Sequence, residues 1–209
     1  MNFASKSRTL ATGALSCFVL ALIGLALLHI FRSDYKVVDH MVSDYAVGRF
    51  GLLMVIVFLA WSTGITLLGI ALLVQGQSSI SRRVGVLLLG VTAIGLVVSA
   101  VYPTDLPGAP DTREGDIHAY SFLVNIVSLL IAIPLLSFGF RENNDWKKYR
   151  PAALLLSVFV VLTFLLQFFT LRKGMPYGLA NRLFVVVLFS WFISTAARLR
   201  TLHTSAVKA

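Results

Sequence analysis

Long uncharged runs alternate with short polar segments along this chain. Thr9–Phe31, Phe50–Ser81, Val84–Thr104, Ile117–Phe140 and Pro151–Leu171 contain no Asp, Glu, Lys or Arg, and each exceeds the roughly 20 residues that a bilayer-crossing helix needs. A sixth run, Leu183–Ala197, has only 15 residues, about 22 Å at 1.5 Å per residue, so its helix must begin earlier, near Gly178, to span. Backbone N–H and C=O groups cannot stay unpaired in hydrocarbon, so apolar runs of this length form helices. The pattern predicts an all-α, six-transmembrane-helix bundle with helices at 9–31, 50–75, 84–102, 117–140, 151–171 and 178–197, forming one integral membrane domain over residues 1–209.

Local signals sharpen these boundaries. Pro103 ends the third helix, because the residue before a proline is pushed away from helical geometry. Pro151 suits the first turn of the fifth helix, and Pro134 inside the fourth predicts a kink. Gly85, Gly90 and Gly95 read as a close-packing stripe on the third helix. Gly76-Gln77-Ser78-Ser79 with Arg82 and Arg83 reads as a short basic turn, and Asn143-Asn144-Asp145-Trp146-Lys147-Lys148 as an interfacial anchor. Lys6 and Arg8 precede the first run as in a secretory signal. Its apolar part is too long for one, and no small-x-small cleavage site follows, so a retained helix is expected.

Composition excludes an ordinary soluble domain: 57% of residues are hydrophobic, 13% are charged, and the mean hydropathy is +0.85. Cys17 is the single cysteine, which leaves no intrachain disulfide framework and no cysteine-ligated metal centre. The net charge of +9 is unevenly placed. Alternating six spans puts Lys6, Arg8, Arg82, Arg83, Arg141, Lys147, Lys148, Arg150, Arg198, Arg200 and Lys208 on one side, with only Glu142 and Asp145 to offset them. The other side carries seven basic and seven acidic residues. The positive-inside rule makes the basic side cytoplasmic, so the expectation is a multi-pass cell (inner) membrane protein, N-in and C-in. The charge excess then faces membrane lipids with anionic headgroups and does not call for nucleic acid.

Candidate chemistry gathers on the opposite side. Asp44 precedes the second helix, Asp105 follows the third, His118 enters the fourth and Arg182 enters the sixth. Ionisable groups near membrane depth are costly unless paired, and they often mark function. Arg182 calls for an anionic partner, with Asp105 or Asp44 at matching depth. One reading of such a pair is a structural clamp across the helix ends. Ser43 and Asp44 also suit helix caps, and His118 suits a satisfied interfacial histidine.

The functional reading is a pocket for a lipid-like or other amphiphilic small molecule. Phe122, Asn125 and the phenylalanines of the fifth helix would floor it, and Asp105, His118 and Arg182 would rim it, with Asp44 beside them. Ser121 and Phe122 share the helix face of His118. Gln167 is the fifth helix's only strongly polar residue. The alternative is a membrane-embedded hydrolase using Asp44, Asp105 and His118 as catalytic residues. No cofactor is predicted. Zinc or another divalent metal on those three residues is the metal alternative, without an HxxxH or HExxH pair to support it. His29 and His118 are the one histidine pair at similar depth for a haem.

Three motifs resemble a known family. Ser43-Asp44 with Gly48 lies before the second helix. Tyr102-Pro103-Thr104-Asp105 is followed by Gly115-x-Ile117-His118. Gly178-Leu179-Ala180-Asn181-Arg182-Leu183 enters the last helix. Together they resemble the "domain of unknown function 998" family of prokaryotic membrane proteins over essentially the whole chain. That family often has Glu before the late arginine, where this chain has Asn181. The resemblance implies the same multi-pass architecture and the same polar residues, and it implies no reaction. A more distant similarity to ceramidase-like membrane hydrolases lacks their later histidine pair.

Overall fold

The computed structural model describes residues 3–75, 79–142, 144–172 and 174–202. The turn residues Gly76–Ser78 and the positions Asn143, Lys173 and Lys208 therefore lie outside the described residues. Six helices form: α1 (Phe3–Phe31), α2 (Gly51–Val74), α3 (Ile80–Val101), α4 (Arg113–Gly139), α5 (Arg150–Thr170) and α6 (Tyr177–Thr201). All six are long and apolar enough to cross a membrane, and the described residues contain no strand.

The ends are set by local chemistry. The Thr112 hydroxyl caps α4 by accepting from Gly115 N at 3.0 Å, and Glu114 and Asp116 sit in its positively polarised first turn. The helix therefore starts a turn before the charge-free run predicts. Ser79 likewise caps α3, accepting from Arg82 N at 3.3 Å. α3 ends at Val101, before Pro103, and Pro151 lies in the first turn of α5. α4 continues as one helix through Pro134. α6 begins at Tyr177, so its first two turns include Gly178 and Arg182, as its short uncharged run requires.

The helices pack as a closed ring in which each touches its sequence neighbours and α6 returns to α1. The α4–α5 contact is the thinnest between consecutive helices. Phe18 stacks on Phe192 at 5.3 Å, and Trp61 lies 4.6 Å from Phe189, joining α1, α2 and α6 at the centre. α3 and α4 approach closely because glycines remove the intervening atoms. A Cβ on Gly85 would lie 2.5 Å from Leu136, and one on Gly95 would fall on the Asn125 side chain. The expected stripe is thus incomplete: Gly90 would meet nothing within 4 Å.

At the basic end, Trp146 corrects the interfacial-anchor expectation. It is fully buried, stacks on Phe140 at 4.1 Å and donates from Nε1 to Gln75 Oε1 at 2.9 Å. The turns Phe140–Glu142 and Asn144–Trp146 lie under the bundle, so this indole serves as core. At the opposite, neutral end lie the connections 32–50, 102–112 and 171–176.

Candidate functional site

Two polar assemblies and one cavity occupy the neutral end. The first assembly centres on Arg182. Its guanidinium donates to His29 Nε2 at 2.7 Å, to the carbonyls of His40 at 2.6 Å, Val37 at 2.9 Å and Gly178 at 2.9 Å, and to Tyr45 Oη at 3.1 Å. The expected direct pairing with Asp44 or Asp105 does not form. Partly buried main-chain oxygens satisfy the cation instead, and the fork of guanidinium donors suits several acceptors at once. His29 Nδ1 is 2.7 Å from Leu25 O, which can only accept, so Nδ1 carries the proton and Nε2 is the acceptor for Arg182.

Gly178 makes this arrangement possible. A Cβ there would lie 2.5 Å from both Val37 O and His40 O, and Gly178 N donates to Val38 O at 2.9 Å. One turn on, Asn181 Oδ1 accepts from Val42 N at 3.0 Å. The Gly178-x-x-Asn181-Arg182 motif is therefore a cradle for segment 37–42. Arg32 adds a second tie, donating to Val47 O and Arg49 O, both at 2.8 Å, and to Asp34 at 3.0 Å.

Asp44 belongs to the same assembly. It lies in the 3₁₀ turn Val42–Ala46, where Oδ2 accepts from Met41 N at 3.1 Å and from His40 Nδ1 at 3.0 Å. Burial pushes its carboxyl above the usual carboxylate range, and the His40 bond and the Arg182 charge only partly oppose this. Asp105 sits apart. Its two oxygens accept from Thr112 N and Thr112 Oγ1, both at 2.8 Å, closing the 102–112 loop onto the cap of α4.

His118 and Asn125 line the cavity beneath. His118 Nδ1 donates to Tyr102 O at 2.8 Å, fastening the C-terminus of α3 to α4 and leaving Nε2 as the ring's other polar atom. Asn125 fills the notch at Gly95, and its Oδ1 is buried without a hydrogen-bond partner among the described residues. The cavity has a volume of about 60 Å³, between α2, α3, α4 and α6. Its polar lining is Ser43, Thr92, Ser99, His118, Asn125 and Asn181. Phe58, Trp61, Phe122 and Phe184 supply much of the rest, and Trp61 Nε1 is also buried without a partner among the described residues.

The four expected helix-end residues thus divide. Arg182 and Asp44 both belong to the clamp, linked through His40 and not directly, His118 joins Asn125 at the cavity, and Asp105 serves its own loop. None of Asp44, Asp105 and Arg182 lines the cavity. The phenylalanines of α5 do not floor it either: Phe159, Phe168 and Phe169 are exposed on the outside of the ring, and Phe184 of α6 takes that place.

Sequence reasoning passed over Asn181 as a contributor and did not connect His29 and Tyr45 to Arg182. The signal for Asn181 was present, since positions 178, 181 and 182 share a helix face. Among the described residues no group of three or more His, Cys, Asp or Glu side chains is placed to hold a metal. Both His29 ring nitrogens are already engaged, so the His29–His118 pair offers no haem ligation in this arrangement.

A ring of six spanning helices, latched at one end by an arginine on main-chain oxygens and enclosing a small cavity, defines a multi-pass membrane protein. Residues 15–198 match the family model described as "Protein of unknown function (DUF998)", and the chain belongs to this family. No curated protein and no solved structure matches it.

Proposed function

We propose that this is a cell-membrane binding protein, with both termini cytoplasmic, whose cavity receives part of a slender amphiphile from the outer leaflet. The observation that carries this reading is a pair of buried polar atoms without partners among the described residues, Asn125 Oδ1 and Trp61 Nε1, on residues lining an otherwise mainly apolar cavity. A buried polar group without a partner costs roughly 1–3 kcal/mol, so an occupant that supplies a donor to one and an acceptor to the other is favoured. A hydroxyl, amide or carboxylic acid group on a narrow apolar chain has that chemistry. The 60 Å³ of space suits such a group and excludes a whole diacyl lipid. His118 and Asn181 supply further polar contacts at the wall. Arg182 is committed to the clamp, so its role in this reading is to hold the cavity's roof, segment 37–46.

The test is mass spectrometry of small molecules that co-purify with the protein, compared between wild type and Asn125→Leu. Loss of one amphiphile from the variant, with the fold retained, supports the reading. If Asn125→Leu leaves the co-purifying molecules unchanged and raises thermal stability, the cavity holds only water and the reading fails. The hydrolase alternative would require turnover of the retained amphiphile by wild type and its loss in His118→Ala.

A further inference from the structure

The thin α4–α5 contact leaves a groove of about 230 Å³ beside Pro134, walled on α5 by Ser157, Val158, Val161 and Leu162. It opens sideways, where Val158 and Leu162 are about half exposed on the surface that faces hydrocarbon. One turn from Pro134 toward the basic end, Phe138 is 46% exposed. Two guanidinium groups converge on its ring: Arg141 at 4.1 Å from the centroid and Arg150 at 5.8 Å. Their central carbons therefore lie within about 10 Å of one another. Among the described residues, Arg150 Nε is buried without a hydrogen-bond partner. Lys147 and Lys148 are exposed in the adjoining turn. Of the nearby acids, Glu142 is directed to α3, where its Oε1 accepts from Ser81 Oγ at 3.5 Å.

Cations at the basic end are expected of any such protein, and an apolar notch on a lipid face is filled by some acyl chain in any case. The two features together select one occupant. From Arg150 to Leu162 is twelve residues, about 18 Å along α5, close to half the hydrocarbon thickness of a bilayer. A chain lying in the groove thus brings its own headgroup to the level of the arginines. Charge-assisted bonds from Arg to phosphate are strong and geometrically selective, and two guanidinium groups stand together here on one ring.

We propose that an anionic diacyl phospholipid binds at the α4–α5 junction, its phosphate held by Arg141 and Arg150 and one acyl chain lying in the groove at Pro134. The site is separate from the neutral-end cavity and stands or falls independently of it.

Native mass spectrometry of the full-length detergent-purified protein, titrated with phosphatidylglycerol or with phosphatidylcholine of the same chains, tests the proposal. Phosphatidylglycerol should bind about tenfold more tightly. Arg141→Gln, at an exposed position, should remove most of that preference, and Arg150→Gln the rest. Val158→Phe, which fills the groove from a lipid-exposed position, should weaken both lipids. Glycerol phosphate, the headgroup without chains, should not displace the lipid at comparable concentration. Equal binding of the two lipids, a preference intact in the Arg141→Gln/Arg150→Gln protein, or unchanged affinity in Val158→Phe would each overturn the proposal. Displacement by glycerol phosphate would overturn it in favour of a soluble phosphate site.

Discussion

Arg182 is satisfied almost entirely by neutral acceptors, and this decides what its removal costs. Arg182→Ala leaves the carbonyls of Val37 and His40 and the lone pair of His29 Nε2 without their donor in a half-buried site. Stripping several acceptors at once should cost roughly 2–4 kcal/mol. Arg182→Lys should recover only part of this, because one ammonium cannot serve acceptors spread around a planar fork. Thermal unfolding in detergent measures both, and an Arg182→Ala protein as stable as wild type would refute the clamp.

Asp44 carries a pH signature of its own. Its carboxyl titrates above the usual range in the folded state because it is buried, so the folded protein binds the proton more tightly than the unfolded chain. Stability should therefore increase as pH falls from neutrality through the raised value, and level off near the ordinary carboxylate value of about 4. Asp44→Asn keeps an acceptor for Met41 N and should abolish that slope. A slope unchanged in Asp44→Asn would place its origin in another group.

Between elements, the decisive contacts are those where a glycine lets backbone meet backbone. Gly178→Ala would press a methyl to 2.5 Å from two main-chain oxygens of segment 37–40, which cannot rotate away as a side chain can. A loss of about 1–3 kcal/mol is expected. Gly90→Ala, with nothing within 4 Å, should be neutral or stabilising by up to about 1 kcal/mol through helix propensity. Paired thermal unfolding of these two variants separates close approach from glycine's general helix cost. The same reasoning accounts for the close α3–α4 wall of the cavity. Asn125 occupies the notch at Gly95, and Ser121 Oγ donates to Gly95 O at 2.7 Å, so two successive turns of α4 are seated on one glycine.

At the scale of the molecule, charge sets orientation and packing sets shape. The basic end should be cytoplasmic, so in a Cys17→Ser background an Ala109→Cys thiol on the 102–112 loop should react with an impermeant reagent added from outside. Labelling only after the membrane is opened would invert the topology. Within the bundle, α5 is the least committed span: Phe159, Phe168 and Phe169 face outward while Phe164 alone of its phenylalanines packs on Phe184 of α6, and Gln167 is fully buried with neither amide atom partnered among the described residues. The helix joins the ring chiefly through α6 and touches α4 only thinly.

The number of spans, their approximate ends and the backward extension of the last helix were legible in the sequence. Hydrocarbon imposes a rule that works along one dimension: apolar length must match bilayer thickness, and every backbone group must be paired within its own helix. Caps and prolines then trimmed the ends, because they too act locally. The candidate site was legible only as a list of residues at the right depth. Which of them meet depends on the rotation of each helix about its axis and on the path of the connections, and neither has a local signal. His118 and Asn125 came together through the α3–α4 approach at Gly95. Asp105 turned back to Thr112, and Trp146 went to the core because its turn lies under the bundle. Arg182 found main-chain oxygens in place of a carboxylate, and since every residue carries a carbonyl, only the tertiary structure could decide which ones would receive it.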